Sequence, residues 1–261
     1  MKVPRLIPYY GSKHSIASKY PPPLYPTIVE PFAGSAAYSS FYPDREIILI
    51  DKDPIIAGIW DWLTSTTKDE ILNLPLIEPD QLVSELDTHQ AAKWLIGFWF
   101  NPGSSQPRSK MSTFAKEHLK EDSRYYLSYG AGWHKRTRMR VVESIDLIKH
   151  WFVVASNYYE YPNEEATWFI DPPYNNKAGS RYKYKSIDYN HLAKWCLSRE
   201  GQVIVCENHG ADWLPFAPLT SMNGQCHDRI EAIYTNTPNW QPPKFIPTKL
   251  NRESIADYLR V

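Results

Sequence analysis

Thr27-Ile28-Val29-Glu30-Pro31-Phe32-Ala33-Gly34-Ser35 is the stretch from which the fold is read. A β-branched run ends on an acid, a small-residue turn follows, and Ala36-Ala37-Tyr38-Ser39-Ser40-Phe41 suits a helix. The pattern then repeats. Ile47-Ile48-Leu49-Ile50 is a second apolar strand ending on Asp51, and Asp53-Pro54 suits an N-cap with proline at the first position of a helix from Ile55 to Leu63. Two strand-helix units in succession predict an α/β fold on a doubly wound parallel sheet. Asp51 follows Glu30 by about 20 residues, the spacing at which such sheets place a carboxylate near a ribose. A simple helix-entry acid explains the same residue without a ligand.

Between 64 and 149 the sequence turns to helical patterns around a polar stretch, Asn101-Pro102-Gly103-Ser104-Ser105-Gln106-Pro107, and strands resume at Phe152-Val153-Val154-Ala155. Residues 1–63 and 150–261 therefore read as one domain interrupted by an insertion at 64–149. Further strands are expected at Thr167 to Asp171, Gln202 to Cys206 and Arg229 to Thr235, with a helix from Tyr189 to Leu197.

The 261 residues are 43% hydrophobic and 14% aromatic, enough for a sizeable core and too apolar for disorder. Lys plus Arg and Asp plus Glu are both 29, so total charge gives no argument for a polyanionic partner, but its distribution does. From Arg108 to Arg140 there are nine basic residues, Arg124, Lys135, Arg136, Arg138 and Arg140 among them, against three acids. Lys177, Arg181, Lys183 and Lys185 add a second, acid-free cluster, and tyrosines interleave both. Cations mixed with aromatic rings suit a nucleic-acid strand; a solvated helical face is the plainer reading. Three cysteines without a C-x-x-C pair fit a reducing compartment, the cytoplasm by default, and neither they nor the eight histidines form a ligand-spaced metal cluster. Neither a signal peptide nor a run of 18 apolar residues is found, so no membrane association is expected.

Trp168-Phe169-Ile170-Asp171-Pro172-Pro173-Tyr174 carries the chemistry. An apolar strand ends on an acid at the sheet edge where open α/β sheets bind ligands. Prolines stiffen the turn and offer carbonyl acceptors, and Tyr174 offers a ring on which something flat can lie. That set suits a planar group bearing an NH2; a proline-capped strand end accounts for the residues without chemistry.

Asp171-Pro172-Pro173-Tyr174 matches the D-P-P-Y motif of the Dam-like DNA adenine-N6 methyltransferases, a family that this sequence resembles over most of its length outside the insertion. Pro8-Tyr9-Tyr10-Gly11-Ser12-Lys13 is similar to their N-terminal P-Y-x-G-[GS]-K motif, and Glu30-Pro31-Phe32-Ala33-Gly34-Ser35 to their E-P-F-x-G-[SA] motif. Cys206-Glu207-Asn208 and Ile233-Tyr234-Thr235-Asn236 are weaker matches. The resemblance implies a Rossmann-like sheet binding S-adenosyl-L-methionine, with a mainly helical target-recognition region inserted at 64–149, and a bacterial or phage-encoded enzyme. By the same resemblance Asp171, Pro172, Pro173 and Tyr174 are catalytic. Tyr9, Tyr10, Lys13, Glu30, Phe32, Gly34, Ser35 and Asp51 hold the cofactor, with Asn157 and Tyr158 where family members carry an Asp-aromatic pair against its adenine. The implied reaction moves a methyl group to the exocyclic amine of an adenine flipped out of duplex DNA, without a metal. Arg124-Tyr125-Tyr126-Leu127-Ser128-Tyr129-Gly130 keeps little of the stretch found in GATC-specific members, so the target is another sequence or a relaxed one. A cytosine-N4 or RNA amino-methyltransferase, and a nucleic-acid-binding module without turnover, remain alternatives. A nicotinamide or flavin enzyme would need the G-x-G-x-x-G that Pro31-Phe32-Ala33-Gly34 is not.

Overall fold

The structure is a computed structural model, which describes residues 2–78, 80–111, 113, 116, 132–222 and 229–242. In chain order its strands are β1 (Thr27–Glu30), β2 (Glu46–Ile50), β3 (Phe152–Val154), β4 (Ala166–Ile170), β5 (Gly201–Asn208), β6 (Ala217–Met222) and β7 (Arg229–Thr235). The α-helices among the described residues are α1 (Pro54–Ser65), α2 (Lys68–Leu72), α3 (Gln90–Trp99), α4 (Lys135–Ile148) and α5 (Tyr189–Leu197). The sheet has seven strands in the order β3-β2-β1-β4-β5-β7-β6. The first five run parallel, and β7 pairs antiparallel with both β5 and β6. This is a mixed α/β fold compatible with a Rossmann-like one. The chain runs outward from β1 to β2 and β3, then returns to β4 on the other side of β1, so a topological switch point lies between β1 and β4, where open sheets bind ligands at the strand carboxyl ends.

The expected strands and the helices at α1 and α5 are observed. α1 begins as its residue types dictate: Asp53 accepts from the Ile55 amide at 3.1 Å, and Pro54 occupies the first turn. One expectation fails. Ala36 to Phe41 is a turn with a short 3-10 segment at Ser39–Phe41, because Gly34 (φ 45°) and Ala36 (φ 47°) both adopt left-handed backbone, which no right-handed helix contains.

Neighbouring strand residues go to opposite faces, as the pleat requires. Ile28, Ile47, Leu49 and Phe169 join the core beneath α1, α3 and α4, with Trp60, Leu95, Trp99 and Ile145. Val29, Ile48, Ile50, Trp168 and Ile170 face α5 with Leu192 and Trp195. The described helices of the 64–149 stretch thus share the core of the sheet, and α3 and α4 pack against α1. The N-terminal stretch is tied to it as well, since the Gly103 amide donates to the Pro8 carbonyl at 2.6 Å and the Tyr10 amide to that of Ser104 at 3.0 Å. No described helix is long and apolar enough to cross a membrane.

Candidate functional site

The turn after β1 is strapped to the end of β2. The Ala33 amide donates to the Ile50 carbonyl at 2.9 Å, and the Gly34 amide donates to Asp51 at 3.0 Å. The other oxygen of Asp51 accepts from the Asp53 amide at 2.8 Å. Tyr9 lies so close over this turn that a Cβ on Gly34 would sit 3.2 Å from its ring. Glu30, buried at the end of β1, accepts from the Ser39 amide at 2.7 Å. Burial pushes its carboxyl up to about 8 and that of Asp51 up to about 6, against the amides that favour their anions.

These groups wall a cavity of about 540 Å³, a size suited to a cofactor. Tyr9, Tyr10, Glu30, Phe32, Gly34, Ser35, Asp51, Asn157 and Tyr158 all line it, as do Asp171 and Pro173. Phe32 and Tyr158 stand with ring centroids 5.1 Å apart, and the Tyr158 hydroxyl is 2.7 Å from Nδ1 of His191. The Asn157 side-chain NH2 donates to Glu160 at 3.0 Å, which leaves its carbonyl oxygen as the acceptor it can offer.

Lys13 is the expected cofactor residue that lies elsewhere. Its buried ammonium donates to both carboxylate oxygens of Asp171, at 2.8 and 2.9 Å, and to the Gly11 carbonyl at 3.0 Å. Burial would depress the ammonium, but the negative field of Asp171 and Glu231 outweighs it and holds Lys13 charged, while burial raises Asp171 and Lys13 opposes that rise. Lys13 also stands 4.7 Å over the ring of Tyr174. Both line a second cavity of about 480 Å³, with Arg5, Asn208 and Glu231. Tyr9, Tyr10, Gly11, Ser12 and Tyr182 line both cavities and form the wall between them. Tyr182 donates to the Tyr10 carbonyl at 3.2 Å, and only a glycine at position 11 (φ +75°) admits it, since a Cβ there would lie 2.1 Å from its hydroxyl.

In the proline turn, the Tyr189 hydroxyl donates to the Pro173 carbonyl at 2.7 Å, whereas the Pro172 carbonyl receives no hydrogen bond from a described residue. Asn175 is anchored by Glu207 on β5, which accepts its amide at 3.1 Å and Nε1 of Trp213 at 3.0 Å. Glu207 stood only in a weak match in the sequence. Glu231 and Tyr20 were not identified at all: Glu231 on β7, 1% exposed, accepts from the Tyr20 hydroxyl at 2.8 Å and from the Tyr174 hydroxyl. The available signal was an acid in the middle of an apolar strand, between Ile230 and Ala232.

The basic residues are spread more widely. Lys177 lines the smaller cavity, Lys183 and Lys185 line the larger, and the Arg181 guanidinium lies 5.5 Å from the Tyr10 ring. Lys135 and Arg136 are exposed at the start of α4. Half-buried Arg138 donates to the Leu74 carbonyl at 2.7 Å, and Arg140 lies 5.5 Å over Trp99, so both also serve the fold. Arg124 lies outside the described residues. Comparison with known proteins finds no family that matches the chain and no curated relative.

Proposed function

We propose that the chain is an S-adenosyl-L-methionine-dependent DNA adenine-N6 methyltransferase. The observation that carries this reading is that Asp171 of D-P-P-Y lines a cofactor-sized cavity while its ion-pair partner Lys13 and its neighbour Tyr174 line a second one, with a wall common to both. Two pockets, one lined by the carboxylate and the other by its ion-pair partner and the neighbouring ring, suit a group transfer between two bound molecules.

The larger cavity fits the cofactor on its own terms. Each Asp51 oxygen spends one lone pair on a backbone amide, which leaves others for the hydroxyls of a ribose. Phe32, Tyr158 and the Asn157 carbonyl suit an adenine ring and its amine. S-adenosyl-L-methionine, when bound, supplies an electrophilic methyl group and its own leaving group, so the protein is left with orientation and electrostatics.

Those tasks match the residues of the turn. An adenine amine is a poor nucleophile because its lone pair is delocalised into the ring. Asp171 and the Pro172 carbonyl, to which no described residue donates, accept from its two hydrogens and favour a pyramidal nitrogen with a directed lone pair. Lys13 favours the ionised carboxylate, a pure acceptor, against the burial that raises it. Tyr174 lines the second cavity, so its ring is available there for a flipped base to stack on. Transfer of a tritiated methyl group from S-adenosyl-L-methionine to DNA, present in the wild type and lost in Asp171→Asn, tests the reading.

A further inference from the structure

We propose that Glu231 is a positioning residue that fixes the Tyr174 ring through its hydroxyl, so that the ring is set in the cavity for the target base. The inference rests on the reading above for what the ring does, but the geometry is independent of it. One carboxylate oxygen, Oε1, gathers the hydroxyls of Tyr20 and Tyr174. Tyr20 lines neither cavity and packs edge-on against Phe169 of β4, centroids 5.1 Å apart, two residues before Asp171. Glu231 itself is locked in the sheet, opposite Asn208 of β5 and Thr220 of β6. The Tyr174 ring is thus held at its hydroxyl by Glu231, across one face by Lys13, and along its backbone by the Glu207 bond to Asn175.

A purely structural role explains this arrangement poorly. A buried carboxylate is costly, and an apolar side chain with two phenylalanines would fill the same space without that cost. A carboxylate is worth its burial where the direction of two hydroxyls matters. The charged and titratable groups around it are Lys13, Asp171, Tyr20, Tyr174, Tyr182 and Cys206, with Arg5 and Lys177 lining the same cavity. Burial raises Glu231 to about 7, with Lys13 opposing, so the strength with which it holds Tyr174 changes near neutral pH.

Single-turnover methyl transfer at saturating cofactor and DNA is measured for the wild type, Glu231→Gln, Tyr174→Phe and the double variant, with Tyr20→Phe as a milder perturbation outside both cavities. The expected result is a rate loss of about tenfold in Glu231→Gln with cofactor affinity unchanged, and less than about twofold further loss when the same change is made on Tyr174→Phe. Tyr20→Phe shifts the rate-pH profile, because it removes one donor to the carboxylate. Equal losses in both backgrounds, or none in either, overturn the proposal. In parallel, the ring-carbon resonance of Tyr174 in 13C-tyrosine-labelled protein is followed against pH without cofactor or DNA. A titration near 7 that Glu231→Gln abolishes supports the clamp, and its persistence in the variant overturns it. Absence of methyl transfer in wild-type protein overturns the methyltransferase reading and leaves the clamp to be decided by the resonance.

Discussion

The Lys13 ammonium bridges both oxygens of the Asp171 carboxylate, at 2.8 and 2.9 Å, across 158 residues of chain. This contact joins the N-terminal motif to the D-P-P-Y turn. It places a fixed positive charge behind the acceptor oxygens and against one face of Tyr174. The Asp171 carboxylate is thus a structural partner of Lys13 as well as the group we propose for the target amine.

Removing one member of this pair leaves the other charged and buried. Lys13→Met is expected to destabilise the fold by about 3 kcal/mol, and Lys13→Met with Asp171→Asn to recover most of that loss. Urea denaturation of the two singles and the double measures it. Additive losses would mean that the two side chains do not interact as the distances indicate.

Asp171→Asn is isosteric in the larger cavity, which Asp171 lines. S-adenosyl-L-methionine affinity by calorimetry should therefore stay within about threefold, while methyl transfer falls by at least about 100-fold. A variant that lost cofactor binding and kept turnover at saturating cofactor would place the carboxylate in the wrong role.

Three buried carboxyls each make stability fall as pH rises, and two histidines oppose them below about pH 6.5, because burial lowers His14 and His134 to about 4. Glu30, Asp51 and Glu231 are raised to about 8, 6 and 7, all above their unfolded values, so at these sites the folded state binds more protons than the unfolded one. Their contribution is fully present below the unfolded carboxyl range and declines as pH rises through these values. Above about pH 6.5, where these histidines are neutral folded or unfolded, the cofactor-free protein should lose about 2 kcal/mol by pH 8, seen as a falling urea midpoint, and Glu30→Gln should remove most of that loss.

Cofactor affinity should run the other way. In the proposed complex the ribose hydroxyls donate to Asp51 and favour its anion, so affinity is expected to rise as pH passes through about 6. Asp51→Asn should weaken binding and remove that rise. A rise that survives the substitution would assign the titration to another group.

Much of this was legible in the sequence, and the limits have physical causes. The strands β1, β2 and β4 announced themselves because buried parallel strands are continuous β-branched and aromatic runs, and their terminal acids marked the functional edge. Ala36 to Phe41 misled because its composition permits a helix that left-handed backbone at Gly34 and Ala36 forbids. Lys13 was visible in its motif but not its partner, since nothing local at position 13 specifies a carboxylate 158 residues away. Glu231 and Tyr20 were hidden for the same reason: their link is made by sheet order, which brings β7 next to β5.

The central claim is that the methyl group goes to adenine N6, and digestion of the treated DNA to nucleosides with mass separation tests it most directly. With deuterated-methyl S-adenosyl-L-methionine, wild-type protein should yield labelled N6-methyladenine, and Asp171→Asn should yield none. Labelled N4-methylcytosine as the dominant product, or no labelled nucleoside from the wild type, would contradict it.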